Sequence, residues 1–101
     1  MDKQYKKAIE EMAGIEHCER CGVHFLSVFL GASHHHIIYR SEAPKHTNLH
    51  HIRNIIKVCM NCHNFFHSHK EERKSLVIER ELWDLFPELR LKERYYLISN
   101  K

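Results

Sequence analysis

The sequence predicts a small α+β domain in which β-strands and a short helix form the centre and further helices lie at both ends. Three observations support this prediction: an amphipathic pattern near the N-terminus, runs of β-forming residues in the middle, and apolar residues at helical spacing in the last third. The 101 residues have room for one domain, which we expect to span 1–101. Hydrophobic residues make up 43% of the chain, which is typical of globular proteins rather than disordered ones.

The first predicted element is a helix over about 3–13. Asp2 is a suitable N-cap, the apolar side chains at positions 5, 8, 9 and 12 fall on one face, and Gly14 stands where a left-handed C-cap would end the helix. Two strands are expected next, over 23–30 and 34–39. Because a small-residue segment separates them, we expect them to pair as a hairpin.

The second half of the chain contains a loop, a connector and more helices. Residues 40–49 are polar and predict a surface loop. The segment 55–58 is so short that we expect a connector, after which Asn61 is a suitable N-cap for a helix over about 61–69. The apolar pattern over about 71–98 predicts one or two further helices that cover the core.

Four cysteines form two Cys-x-x-Cys pairs, Cys18/Cys21 and Cys59/Cys62, and Gly22 follows the first pair as in a zinc knuckle. Zinc prefers four tetrahedral ligands, and one such pair lets two thiolates reach an ion from a single turn. We therefore expect one structural Zn²⁺ held by all four thiolates. Four buried cysteines acting as small hydrophobic residues are the alternative. The pairs are separated by 37 residues, a longer segment than that between the pairs of a compact zinc ribbon. We therefore expect this segment to contain additional structure.

Histidines concentrate between and just after the cysteine pairs. His63 and His67 are four residues apart on a predicted helix and share a face, whereas His69 points to the far side. Two histidines at this spacing can bind one metal ion. The candidate site residues outside the cysteines are His34, His35, His36, Asn54, His63 and His67.

The order of these motifs resembles the HNH nuclease family. The matching pattern is Cys-x-x-Cys, then His-His-Ile, then Asn-Ile-Ile-x-Val-Cys-x-x-Cys-His-x-x-x-His, and it covers about 17–69, half of the chain. The resemblance implies a zinc-stapled, treble-clef-like ββα-metal finger, here with flanking N- and C-terminal helices. Small stand-alone HNH proteins of phages and mobile elements are the context it suggests.

The resemblance also implies roles for the site residues. His36 is the general base, His35 is a metal ligand where many relatives have aspartate, and the helical pair His63 and His67 supplies further ligands. Asn54 braces the catalytic loop or reaches the metal. Because an imidazole in place of a carboxylate lowers the negative charge of the site, Mg²⁺, Mn²⁺, Ni²⁺ and Zn²⁺ all stay open as the one catalytic divalent cation.

The run of three histidines leaves two registers for the working pair. His34 and His35 could take the two positions, but the Ile-Ile that follows favours His35 and His36. A neutral imidazole can take a proton from water at neutral pH.

The implied activity is hydrolysis of DNA phosphodiester bonds by an endonuclease, through nicking or double-strand cleavage. The cation would stabilise charge on the phosphorane and on the leaving 3′ oxygen, so products should carry 5′ phosphates. RNA stays an alternative substrate because no reader of the 2′-hydroxyl stands out. A non-catalytic zinc module that binds nucleic acid or protein is the alternative function. A second metal site, separate from the thiolates, would favour the nuclease.

Basic residues concentrate in the middle of the chain, where 34–74 carries seven basic and three acidic side chains. A polyanion would dock there first. Because no sequence-reading module such as a helix-turn-helix is present, we expect loose specificity or a protein partner for targeting, and a dimer is possible for double-strand cleavage. The expected phosphate contacts are Arg40, Lys45, Arg53, Lys57 and Lys70.

The N-terminal residues contain no apolar run of the kind found in secretory signals, and no stretch approaches the length of a membrane span. We therefore expect a cytoplasmic protein, in a bacterial or phage-infected cell, with no membrane partner. Reduced thiols in that compartment agree with metal binding rather than disulfides.

Overall fold

A computed structural model describes residues 2–29, 31–91 and 94 of the chain. It shows a small α+β fold with a two-stranded antiparallel sheet and three α-helices among the described residues. The helices and strands are α1 (Lys3–Glu11), β1 (Ala32–His36), β2 (Ile55–Cys59), α2 (Met60–Ser68) and α3 (Lys70–Glu79).

The N-terminal helix α1 begins as predicted. The Asp2 carboxylate accepts hydrogen bonds from the amides of Gln4 and Tyr5, at 2.8 and 3.2 Å, which satisfies two of the unpaired donors of the first turn. The predicted end at Gly14 is wrong in its geometry. The helix tightens into a 3₁₀ turn over Met12–Gly14, and Gly14 is not among the glycines with positive φ.

The sheet differs from the predicted hairpin. β1 pairs with β2 rather than with residues 23–30, and His35 lies opposite Ile56 in the antiparallel register. The described part of 23–30 forms no strand; it contains a 3₁₀ turn, Phe25–Ser27. The segment expected to be a connector is a strand that is buried along its whole length. A strand buried on both faces has a continuous apolar run without alternation, so periodicity does not reveal it.

Helices α2 and α3 follow β2 without a long connection. The predicted helix over 61–69 is confirmed to within one residue, although Cys59 rather than Asn61 occupies the N-cap. α3 confirms the start of the predicted C-terminal helical segment. It is followed by 3₁₀ turns over Leu82–Asp84 and Pro87–Leu89. Positions 92, 93 and 95–98 of that prediction lie outside the described residues.

The core lies between the sheet and the helices α2 and α3. It contains the residues just after β1 and the apolar side chains of β2, α2 and the C-terminal turns. The strand β1 and the helix α2, which carry the candidate site, are therefore packed against each other. A smaller cluster packs α1 on the start of β2 through Ala8, Met12 and Ile55. No helix in the described ranges has the length and apolar character needed to cross a membrane. The largest fully buried apolar side chains are Phe66, Phe86, Ile37, Ile38, Ile55, Leu82, Leu91, Val58 and Val77.

Candidate metal centres

The four cysteines form one cluster where the turn after α1 meets the end of β2. Their sulfur atoms all lie within 4.8 Å of one another, and those of Cys21 and Cys59 are 3.7 Å apart. The first pair sits on a tight turn in which the Gly22 amide donates to the Cys18 carbonyl, and Gly22 has a φ of +82°, which glycine adopts without strain. Cys62 is buried, as are Cys18 and Cys59, whereas Cys21 is exposed. These four cysteines could hold a metal ion.

The thiols of this cluster do not all ionise together without a cation. Burial raises the pKa of Cys62 to about 12, although Arg20 donates to its sulfur at 3.5 Å. Burial also opposes ionisation of Cys18, but hydrogen bonds from backbone amides, that of Cys21 foremost, lower the pKa of Cys18 to about 6. Four close thiolates therefore need a compensating positive charge. A bound divalent cation supplies it and keeps its coordinating thiols deprotonated.

Three histidines form a second cluster between β1 and α2. His35 Nδ1 lies 3.3 Å from His63 Nδ1, and the Nε2 atoms of His63 and His67 are 3.1 Å apart. One nitrogen from each ring lies within 4.8 Å of the other two, so these residues could also hold a metal ion. The helical pair shares a face, as its spacing predicts. The ring of His69 instead stacks on Phe65, with 3.8 Å between centroids.

His35 and His63 are neutral at pH 7. Burial, followed by the nearby His63 and His67, lowers the pKa of His35 from 6.5 to about 4, and burial, followed by His67, lowers the pKa of His63. Ser33 Oγ lies 2.9 Å from His63 Nδ1, and the Tyr39 hydroxyl lies 3.5 Å from His35 Nε2. The neutral imidazole is the form that binds a metal, and such neighbouring polar groups orient ligand rings.

The histidine cluster opens into a pocket of about 210 Å³. His35 is buried, His63 is half-buried and His67 is exposed, so the cluster is closed towards the sheet and open towards solvent. A site with three protein ligands and an open side has room for water or substrate beside the ion. The three-histidine cluster contains His35 and not His34, although both line the pocket. The lining residues are His34, His35, His36, Tyr39, Arg40, His63 and His67.

His36 lies at the edge of this pocket but outside the three-histidine cluster. It follows His35 in β1, and successive side chains of a strand point to opposite faces. Its Nε2 atom lies 2.9 Å from Nδ1 of His50, a residue whose role has no local sequence signal because the contact spans a 13-residue loop. Burial, followed by His50 and Arg40, lowers the pKa of His36 to about 4.

Asn54 is fully buried and holds the loop between the two strands. Its side-chain oxygen accepts from the Ile38 amide at 2.7 Å, and its amide group donates to the carbonyls of Ile38 and Leu49, at 3.1 and 2.8 Å. All three hydrogen bonds join the side chain to backbone on the two ends of the loop. Of the two roles that the resemblance implies, these contacts support bracing of the loop.

The five predicted phosphate contacts fall into two groups: three lie at a pocket or on the surface, and two bind other groups of the protein. Arg40 lines the histidine pocket and also a neighbouring cleft of about 700 Å³ that Lys45 lines as well, and Lys70 is exposed. Lys57 is a correction: it is 8% exposed, and its ammonium donates to two backbone carbonyls near the end of α1. The Arg53 guanidinium binds an aspartate and two backbone carbonyls after α3, so it too serves the fold.

Comparisons with known proteins add no family to these observations. No family model, curated protein or solved structure matches the chain. The geometry of the two clusters and the order of the motifs in the sequence are therefore the observations that bear on function.

Proposed function

We propose that the chain is a metal-dependent endonuclease that hydrolyses phosphodiester bonds of DNA. The observation that carries the proposal is the second cluster of metal ligands, His35, His63 and His67, which is separate from the cysteines and faces a pocket. A binding module built around one structural ion does not need a second, open set of ligands. The order of the motifs, which resembles that of HNH nucleases, supports the same assignment.

The two clusters suit different ions and different tasks. The four cysteines would hold a structural Zn²⁺, since tetrahedral thiolate sites are typical of that ion. The three imidazoles would hold one divalent cation, with Mg²⁺, Mn²⁺, Ni²⁺ and Zn²⁺ as the candidates. When bound, that cation supplies charge stabilisation to the oxygens of the reacting phosphate and of the leaving group.

His36 would accept the proton of the attacking water. It is neutral at pH 7 and lines the pocket, and its position outside the three-histidine cluster leaves a lone pair for the water. A base with a pKa of about 4 is weak, but an approaching phosphate carries negative charge, which favours the imidazolium and raises the pKa of His36.

Arg40 and Lys45 would bind the phosphate backbone beside the reacting bond. Arg40 lines both the histidine pocket and the larger cleft, and Lys45 lines that cleft with a left-handed backbone, at a φ of 59°. A strand of DNA could pass from the pocket over Arg40 into the cleft, and each phosphate contact would make binding sensitive to salt.

The second candidate function is a non-catalytic zinc module that binds a protein. Leu26 and Phe29 favour it, because their side chains are 91% and 101% exposed on the segment before β1. Large apolar side chains exposed to this degree are typical of interaction surfaces. This candidate predicts no strand cleavage with any metal.

A plasmid assay tests the proposal. Purified protein is incubated with supercoiled DNA and each candidate metal, with EDTA as the negative control, and nicked or linear product is measured. His36→Ala should lower the cleavage rate by roughly 10²- to 10⁴-fold, the usual contribution of a general base. His69→Ala is the matched control, because His69 lies away from the cluster, and it should cleave normally. Intact plasmid with every metal, from folded and zinc-loaded protein, would favour the binding module.

A further inference from the structure

His50, on the loop that joins the two strands, lies within hydrogen-bond distance of His36. Its Nδ1 atom lies 2.9 Å from His36 Nε2, and the two ring centroids are 5.0 Å apart. This distance is that of a hydrogen bond in which one nitrogen must carry the proton and the other a lone pair. The bond therefore couples the tautomers of the two rings.

The contact is built by three separate parts of the chain. The ring of Tyr5, from α1, lies 4.9 Å from the His50 ring and 5.3 Å from the His36 ring, so α1 packs against the pair. Asn54 bonds to Ile38, two residues after His36, and to Leu49, one residue before His50. The buried asparagine thus ties together the two segments that carry the pair.

The two nitrogens of His36 consequently have different surroundings. Nε2 is engaged with His50, so Nδ1 is the nitrogen available to a water molecule. An imidazole can accept a proton at Nδ1 only if its neutral form carries the hydrogen at Nε2. His50 satisfies this requirement when its Nδ1 accepts the hydrogen bond from His36 Nε2–H.

We propose that His50 is a positioning residue that holds His36 in the Nε2–H tautomer, with Nδ1 directed to the attacking water. The inference rests on the proposed nuclease activity for its consequence, but the tautomer itself can be measured without any activity. In the reaction, His36 Nδ1 takes a proton from water as the water oxygen bonds to phosphorus and the bond from phosphorus to the 3′ oxygen breaks; the departing 3′ oxygen takes a proton from solvent water. The Nε2–H bond to His50 persists and becomes charge-assisted, which is the stronger form.

Two variants separate positioning from folding. His50→Ala removes the acceptor, whereas His50→Asn keeps one, because the asparagine side-chain oxygen occupies a place close to that of Nδ1. His69→Ala serves as the matched control for loss of a histidine. In the plasmid assay, His50→Ala should lower kcat by roughly 10- to 100-fold, as is usual for loss of an orienting partner, with KM little changed. His50→Asn should recover part of that loss.

The tautomer is measured by long-range ¹H–¹⁵N NMR on the zinc-loaded full chain labelled at histidine. We expect His36 to be the Nε2–H tautomer in the wild type and in His50→Asn, and a mixture of tautomers in His50→Ala. A wild-type His36 in the Nδ1–H form, or a tautomer unchanged in His50→Ala, would overturn the inference. Normal kcat in His50→Ala would also overturn it while leaving the nuclease proposal intact. A wild type that cleaves no DNA would refute the nuclease proposal, and the NMR result would still decide the role of His50.

Discussion

The four-cysteine cluster and the three-histidine cluster differ in how completely the protein encloses them. Three of the four cysteines are buried, and the four sulfurs could by themselves supply the four ligands of a tetrahedral metal site. The histidine cluster offers three ligands, and its residues range from buried His35 to exposed His67 beside a pocket. A closed set of ligands suits a metal that stabilises a fold, whereas an open set suits a metal that meets substrate.

Helix α2 makes the two clusters depend on each other. Its N-cap Cys59 and first-turn residue Cys62 belong to one cluster, whereas His63 and His67 belong to the other. Because Cys62 and His63 are neighbours on one short helix, an ion that fixes the cysteines also fixes the direction of the histidines. A metal ion held by the cysteines would therefore help to position the helical histidines through α2.

The largest expected effect comes from opening the closed cluster. Cys59→Ser should prevent stable folding, because binding of a structural zinc contributes roughly 10–16 kcal/mol, as much as the whole stability of a small domain. His67→Ala is the matched variant in the open cluster and should keep the fold and one zinc ion per chain. Zinc content and near-ultraviolet circular dichroism measure both. A folded Cys59→Ser protein, or an unfolded His67→Ala protein, would contradict the division of tasks.

A smaller loss of stability is expected when Asn54, which holds the loop between β1 and β2, is replaced. Asn54→Ala removes three hydrogen bonds from a fully buried side chain and leaves backbone groups of Ile38 and Leu49 without their partners. We expect the free energy of unfolding to fall by about 3 kcal/mol, measured by urea denaturation. Asn64→Ala, at an exposed position of α2, is the control and should change it by less than ~0.5 kcal/mol. Equal changes in the free energy of unfolding for the two substitutions would contradict the role of Asn54 in holding the loop.

The smallest expected effect is the contribution of His36 to the loss of stability at acidic pH. Burial, then His50 and Arg40, lowers the pKa of His36 from 6.5 to about 4, so between these values the unfolded chain binds a proton that the folded chain does not. The contribution of His36 to stability is present above pH 6.5 and is lost as the pH falls towards 4. His36→Gln cannot take up this proton. Its unfolding midpoint in urea should therefore decline less steeply than that of the wild type over this range, and parallel declines would contradict the burial of a neutral His36.

Local signals allowed several features to be predicted from sequence. The Asp2 cap, the turn at the first cysteine pair and the shared face of His63 and His67 all depend on residues within four positions of one another. The Cys-x-x-Cys spacing, which occurs twice in the chain, was also sufficient to predict the cysteine cluster. The physical reason is that short-range geometry follows from standard helix and turn dimensions.

Features that depend on distant partners were missed. The strand β1 pairs with a segment about 20 residues later, and nothing in an apolar run such as that of β2 distinguishes a buried strand from a connector. Lys57 resembles a surface lysine in sequence, yet the fold encloses its ammonium among backbone carbonyls. His50 likewise has no local sequence signal, because its partner His36 becomes a neighbour only after the loop closes.

Metal stoichiometry decides whether the chain carries one closed and one open metal site. Protein loaded with one zinc ion is titrated with Co²⁺, and bound cobalt is followed by its visible absorption, in the wild type and in His67→Ala. We expect a second ion to bind the wild type without thiolate-to-cobalt charge-transfer bands, and its affinity to fall sharply in His67→Ala while the zinc remains. A single bound ion in the wild type, or a second ion that binds equally well to His67→Ala, would contradict the assignment of the histidine cluster.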